Sequence, residues 1–216
     1  SFYRSLTPEQ RQQANESNVY ELFEPGKTIV VQAYIKPYDL SEKELAAWYV
    51  LGSAVLKGTV ELSPQKIREF GSQAGVAPEV LVMPDFMRIQ FVVPVGGLSL
   101  AGDLLSSVML RCTLLDSDVQ EAIRELQASR QEPWMLALTG IRPSFEKLRA
   151  TDVRNLWSRT FVAKSVSFVV GGEVQNGEGR REIEKRFSRW SPSRPGARIA
   201  GVDPRPLLST NSRLST

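Results

Sequence analysis

Helix-start signals recur along this chain and constrain its fold more than any other local pattern. A Ser or Thr ahead of an amphipathic run can cap the free N–H groups of a first helical turn, most clearly when Pro follows directly or Glu or Gln follows three residues later. The run at 98–115 is apolar throughout, which predicts a core helix. Further helices are predicted to begin at Thr7, Ser41, Ser63, Ser117 and Thr151.

Three shorter segments carry strand patterns. Residues 28–35 are β-branched and lie between Gly26 and Pro37, residues 86–93 alternate apolar and polar side chains, and residues 165–170 are rich in valine. Helical segments outnumber these strands. The sequence therefore predicts a mainly α (or α+β) protein, a single compact helical domain with a few short strands.

Composition along the chain suggests four segments. Residues 1–26 are predicted to form an N-terminal arm and 27–172 the globular core. A glycine-rich hinge and a basic amphipathic helix follow at 173–190, and a flexible tail rich in Arg, Ser and Pro at 191–216.

The side chains that are missing exclude several kinds of chemistry. The sequence contains no histidine and a single cysteine, Cys112. Ser-His-Asp and Cys-His catalysis, histidine-bound zinc and a cysteine-rich metal site are therefore unavailable to this chain. Cys112 stands in an apolar run, which favours a buried structural thiol. Carboxylate pairs, lysine nucleophiles and Mg²⁺ sites are not excluded, so an enzyme that depends on Mg²⁺ or lysine is a third and weaker hypothesis. Because no catalytic motif is found, we predict no catalytic residue, no metal and no cofactor, and a protein that is not an enzyme.

Two further patterns bear on ligands and location. The loop 171–179 lies between a strand and a helix, as a phosphate cradle would, but it departs from GxGxxG and from GxxxxGK[ST] and contains two acids. It is therefore predicted to be a hinge or hairpin. The polar N-terminus lacks a signal-peptide core, and Asp103 interrupts the apolar stretch 89–110. We expect a soluble protein of the cytoplasm or a virion, not secreted.

Positive charge is concentrated at the C-terminal end. Residues 141–216 hold 15 Lys and Arg against 7 Asp and Glu, whereas residues 1–140 hold 12 against 17. Most of the C-terminal cations are arginines, which suit bidentate contact with phosphate. This asymmetry predicts a coat or nucleocapsid-type viral structural protein that self-assembles and packages single-stranded RNA without sequence preference. No membrane and no small-molecule substrate is expected.

Two sets of residues follow from this hypothesis. The residues predicted to bind nucleic acid are Arg142, Arg149, Arg154, Trp157, Arg159, Arg180, Arg181, Lys185, Arg186, Arg189, Arg194 and Arg198. The residues predicted to join copies of the chain into a homo-oligomer are Val19, Tyr20, Leu22, Phe23, Ile183, Phe187 and Trp190. The alternative hypothesis is a non-enzymatic interaction module whose terminal arms bind other proteins.

Overall fold

A five-stranded mixed sheet organises the fold. The computed structural model describes residues 18–128, 145, 147–188 and 190. Its strands are β1 (Val19–Phe23), β2 (Thr28–Ile35), β3 (Glu79–Val82), β4 (Met87–Pro94) and β5 (Val166–Gly172), in the order β1-β5-β2-β4-β3. The pair β1 and β5 is parallel, and the other three pairs are antiparallel.

Six α-helices are described, besides a short 3₁₀ helix at Ala163–Ser165. They are α1 (Glu42–Ala54), α2 (Pro64–Gly71), α3 (Leu98–Arg111), α4 (Asp116–Ala128), α5 (Ala150–Thr160) and α6 (Glu178–Phe187). Helix α3 packs on β2 and β4, α6 packs on α3 and β1, and α1 lies against β3. Helices α4 and α5 pack on α1, so they form an outer layer. Among the described residues, no helix combines the length and the hydropathy that a transmembrane segment requires.

The core lies on one face of the sheet. Alternate residues of β2 from Ile29 to Ile35 are buried beneath the helices, and so are Met87, Ile89 and Phe91 of β4. The residues between them on β2 stay half-buried, because they belong to the opposite face. One face of the sheet therefore carries the helices and most of the buried apolar side chains, whereas the opposite face is more polar.

Local signals in the sequence placed several elements correctly. Ser41 caps α1 through a capping box with Glu44, and Ser63 caps α2 with Pro64 in the first turn. Strand β2 has the predicted limits, and β4 is shifted by one residue from the predicted 86–93. Helix α5 begins at Ala150 with Arg149 as its N-cap, two residues before the predicted Thr151 cap.

The prediction of a mainly helical domain was wrong. The molecule is an α/β fold with a five-stranded mixed sheet, and the helices cover that sheet instead of forming a bundle. Two strands had not been predicted. Strand β3 has four residues, and β1 came from the segment assigned to the N-terminal arm. Strands this short repeat the alternating pattern too few times to be identified from the sequence.

Two segments that were predicted to lie outside the globular core contribute a strand and a helix to the fold. Strand β1 comes from 1–26 and pairs with β5, and α6 comes from 173–190 and packs on α3. The helix predicted from Thr7 and the whole tail 191–216 lie outside the described residues.

Candidate functional site

Three of the arginines predicted to bind nucleic acid form ion pairs with acids of the same domain, and two of them, Arg154 and Arg159, are partly exposed. Arg154 donates to Asp116 at 2.8 Å and to the carbonyl of Leu114 at 3.0 Å. Arg159 lies 2.7 Å from a carboxylate oxygen of Glu44. Both pairs join elements that are far apart in the sequence. Their positive charge is therefore partly neutralised within the fold.

Arg186 is a buried structural residue. Its side chain is 8 % exposed and pairs with Asp103 at 2.7 Å and with Glu182 one turn earlier in α6. It also donates to the backbone carbonyl of Ser99 at 2.8 Å and to its hydroxyl at 2.7 Å. The guanidinium group lies against Gly102, where a β-carbon would come within 2.9 Å of Nε. Arg186 thus ties α6 to α3.

The remaining predicted residues are divided between structural and exposed positions. The backbone N–H of Arg149 donates to Asp152 at 3.0 Å, and the indole of Trp157 donates to the carbonyl of Met109 at 3.3 Å. Arg180 is half-buried, and Arg181 and Lys185 are exposed on α6. Arg142, Arg189, Arg194 and Arg198 lie outside the described residues. Their assignment to nucleic-acid binding stays a prediction from the sequence.

The residues predicted to join copies of the chain face largely inward. Ile183 and Phe187 are buried in the core, and the Phe187 ring lies 4.6 Å from that of Phe168 and 5.3 Å from that of Trp190, which is half-buried. In β1, Val19 is buried, Tyr20 and Leu22 are half-buried, and Phe23 is 70 % exposed. The apolar side chains Ile183 and Phe187 of α6 therefore pack on the sheet of their own chain.

The glycine-rich loop after β5 has a carboxylate where a phosphate would bind. Glu21 of β1 accepts hydrogen bonds from the backbone N–H groups of Gly177 and Arg180, each at 3.0 Å. These are the N–H groups at the start of α6 that a phosphate cradle would offer to its ligand. An internal anion therefore satisfies them.

A shallow cavity of about 390 Å³ lies between the start of α1 and α5. Lys43 pairs with Asp152 across it at 2.9 Å, and Arg159 pairs with Glu44. Hydrogen bonds from the backbone and hydroxyl of Ser41 lower the pKa of Glu44. The hydrogen bond from Lys43 lowers the pKa of Asp152. Both carboxylates are therefore ionised near neutral pH, which makes them poor general acids.

The described residues hold neither a metal-binding cluster nor a reactive thiol. No three of their His, Cys, Asp or Glu side chains lie together so that they could hold a metal ion. Burial raises the pKa of the Cys112 thiol to about 12, so it is protonated and unreactive at neutral pH. Burial, reinforced by the charge of Asp85, likewise raises the pKa of the Tyr49 hydroxyl to about 12.

Strand β3 is the structural feature most suited to binding a ligand. It forms an outer edge of the sheet in the described part of the chain, where it pairs only with β4. The N–H of Met83 donates to the carbonyl of Phe86 at 2.8 Å. Met83 and Phe86 are therefore opposite each other in a hydrogen-bonded pair, and such pairs alternate with non-hydrogen-bonded pairs along an antiparallel ladder. Val80 and Val82 belong to the non-hydrogen-bonded pairs, so their N–H and C=O groups point away from β4. An extended polypeptide can pair with such outward groups.

The polar face beside this edge carries a continuous hydrogen-bond ladder. Tyr34 donates to Gln32 at 3.1 Å, and Gln32 donates to Gln90 of the neighbouring strand at 2.6 Å. Glu79 of β3 then accepts from Arg88 at 2.7 Å and from Gln90 at 3.4 Å. The ladder fixes the side chains of the outermost three strands. The sequence did not reveal it, because the register of β2, β4 and β3 decides which polar residues meet.

Comparisons with known proteins identify a related fold and no related sequence. No protein-family model matches the chain, and no curated protein matches it. A protease from Helicobacter pylori matches with a TM-score of 0.70 and 15% identity over 80% of this chain and 48% of the other. The first half of the periplasmic protease PqqL from Escherichia coli matches with a TM-score of 0.68 and 14% identity over 83% and 45%. A predicted insulinase family protease from Yersinia pestis gives 0.65 and 16% over 85% and 45%.

These neighbours overturn two of the sequence-based predictions. They are proteases, and none of those reported above is a capsid, nucleocapsid or RNA-binding protein, so the hypothesis of RNA packaging was wrong. The prediction of a protein that is not an enzyme was wrong for the same reason, since the fold is one that proteases use. The chain spans a little under half the length of each of these three structures. At this level of identity the likeness establishes the fold, an α/β domain of the kind found in insulinase-type proteases.

Proposed function

We propose that this chain is one domain of a larger protease and that its edge strand β3 holds a polypeptide substrate in an extended conformation. The observation that carries the proposal is the outward-facing backbone of Val80 and Val82, at the sheet edge of a fold shared with proteases. A substrate strand that pairs with these groups gains main-chain hydrogen bonds whatever its sequence. Such binding suits a protease that accepts many polypeptide segments.

The groups that cleave the peptide bond are proposed to come from outside this chain. Metalloproteases with HExxH or HxxEH motifs, and serine and cysteine proteases with a catalytic histidine, need at least one histidine. This chain has none. The structures it resembles are about twice as long as the matched region, which leaves room for another domain to supply those groups.

The contribution of β3 to catalysis is positioning. A peptide bond that is held in an extended strand has its carbonyl at a fixed place relative to the sheet, and fixed geometry lowers the entropic cost of reaching the transition state. Helix α1 holds β3 in place, because the indole of Trp48 donates to the carbonyl of Met83 at 2.9 Å. The edge is therefore anchored to the helical layer.

Peptide binding tests the proposal directly. A short fluorescent peptide with alternating apolar residues is titrated with the purified chain, and its anisotropy is compared with that of the same peptide N-methylated at every backbone nitrogen. The methylated peptide cannot donate main-chain hydrogen bonds. We expect its affinity to be at least about tenfold lower, because it loses two or more such bonds. Equal affinity of the two peptides would show that binding does not use the sheet edge.

Hydrolysis by the chain alone tests the second part of the proposal. The purified chain is incubated with an internally quenched peptide substrate, with and without added Zn²⁺. We expect no cleavage above that of a heat-unfolded sample of the same protein. Cleavage that depends on the folded chain would show that it contains its own catalytic groups and would refute an external source for them.

A further inference from the structure

We propose that β3 selects segments in which apolar and basic side chains alternate. This inference rests on the proposed function, since it concerns the strand that binds at that edge. It follows from the difference between the two faces of β3, which present unlike chemistry to the two faces of any added strand.

The face of β3 toward the helices is apolar. Val80 and Val82 pack against the buried core, and their partners across the ladder are Ile89 and Met87. Val82 also lies against α1, where Gly52 leaves room for it. An added strand would place every second side chain beside this surface, so that apolar side chains there would extend the core.

The opposite face of β3 carries negative charge toward its outer side. Glu79 is half-exposed, and it is the outermost residue of the hydrogen-bond ladder. Its partner Arg88 lies inward on β4 and is less exposed, so the Glu79 carboxylate is the charged group of this ladder nearest to an added strand. Leu81 lies on the same face, two residues along β3, and offers apolar surface to the stem of a lysine or arginine.

These two faces together define the substrate class. Its apolar residues lie toward α1, and its basic residues lie toward Glu79. Opposite charges on neighbouring strands attract, and like charges repel. An acidic residue on the same face of the substrate would therefore be repelled by Glu79, and the substrate would bind more weakly.

Three matched peptides test this selection. They share the same valines at alternate positions and carry lysine, serine or glutamate at the intervening positions. Anisotropy titrations are performed with the wild-type chain, with Glu79→Gln and with Glu173→Gln. Glu173 is an exposed acid beyond β5, which two strands separate from β3, so its replacement removes the same charge elsewhere.

We expect the lysine peptide to bind the wild-type chain about threefold more tightly than the serine peptide, and the glutamate peptide to bind more weakly. Glu79→Gln should abolish this order or reverse it, because Arg88 then loses its acidic partner. Glu173→Gln should preserve the order. Equal binding of the three peptides to the wild type, or a lysine preference that persists in Glu79→Gln, refutes the selection while leaving the proposed function intact. Absence of binding by all three peptides refutes both.

Discussion

Replacing Gly52 with alanine tests how closely α1 and the edge strand β3 approach each other. A β-carbon at this position would lie 2.1 Å from Cγ2 of Val82 and 3.3 Å from Cε of Met87. Carbon atoms pack at about 3.5–4.0 Å, so the strand or the valine must move by more than about 1 Å. Overpacking of this kind costs about 1–3 kcal/mol. Alanine stabilises the helix by about 0.8–1 kcal/mol relative to glycine, because its helix propensity is higher.

The net expectation for Gly52→Ala is a free energy of unfolding lower by about 1 kcal/mol, measured by urea denaturation. Val82→Ala removes the methyl group that the new side chain meets. When Val82→Ala is already present, Gly52→Ala should lower the free energy of unfolding by less than it does in the wild-type background, with a coupling energy of about 1 kcal/mol. Gly26→Ala is the matched control, since the atom nearest to its β-carbon lies 4.0 Å away. A Gly52→Ala variant as stable as wild type, or effects that simply add in the double variant, would refute the close approach.

Three further predictions concern the polar groups of the core and the helix caps. Arg186→Lys should lower the free energy of unfolding by about 2–4 kcal/mol in urea, because lysine cannot replace the buried forked contacts, whereas Arg181→Lys on the same helix should change it by less than about 0.5 kcal/mol. Tyr49→Phe should leave the thermal transition unchanged or raise it, because the buried hydroxyl has no hydrogen-bond partner among the described residues; a clear loss of stability would indicate a partner. Glu44→Ala should cost about 1 kcal/mol at neutral pH. Because the pKa of Glu44 is lowered in the folded state, this difference should shrink as the pH falls below about 4, and a constant difference across that range would refute the role of its charge.

Local signals were sufficient to predict the elements whose causes are local. The capping box at Ser41 involves residues three positions apart, and both of its hydrogen bonds are present in the structure. The eight residues of β2 repeat the alternating pattern often enough to identify a strand. By contrast, β3 is defined by its pairing with β4, and its four residues carry too little periodicity to indicate a strand by themselves.

The candidate site could not be predicted, because it depends on the order of the strands. The sequence does not indicate that β3 lies at an edge of the sheet. It also does not indicate that Glu79 accepts hydrogen bonds from Arg88 and Gln90 on one face. A short apolar run between Pro78 and Pro84 was the available signal. It predicts an extended segment, but not which strand it joins or which of its backbone groups stay outside.

The sequence by itself determined which catalytic side chains this chain lacks, since the absence of histidine needs no coordinates. Only the tertiary structure decided what the arginines contact. Arg186 meets Asp103, which is 83 positions away, and Arg159 meets Glu44 on another helix. Charge summed along a sequence ignores such contacts, because electrostatic attraction acts through distances in space and folding sets those distances. The concentration of positive charge that suggested a polyanion ligand is therefore partly used to hold helices together.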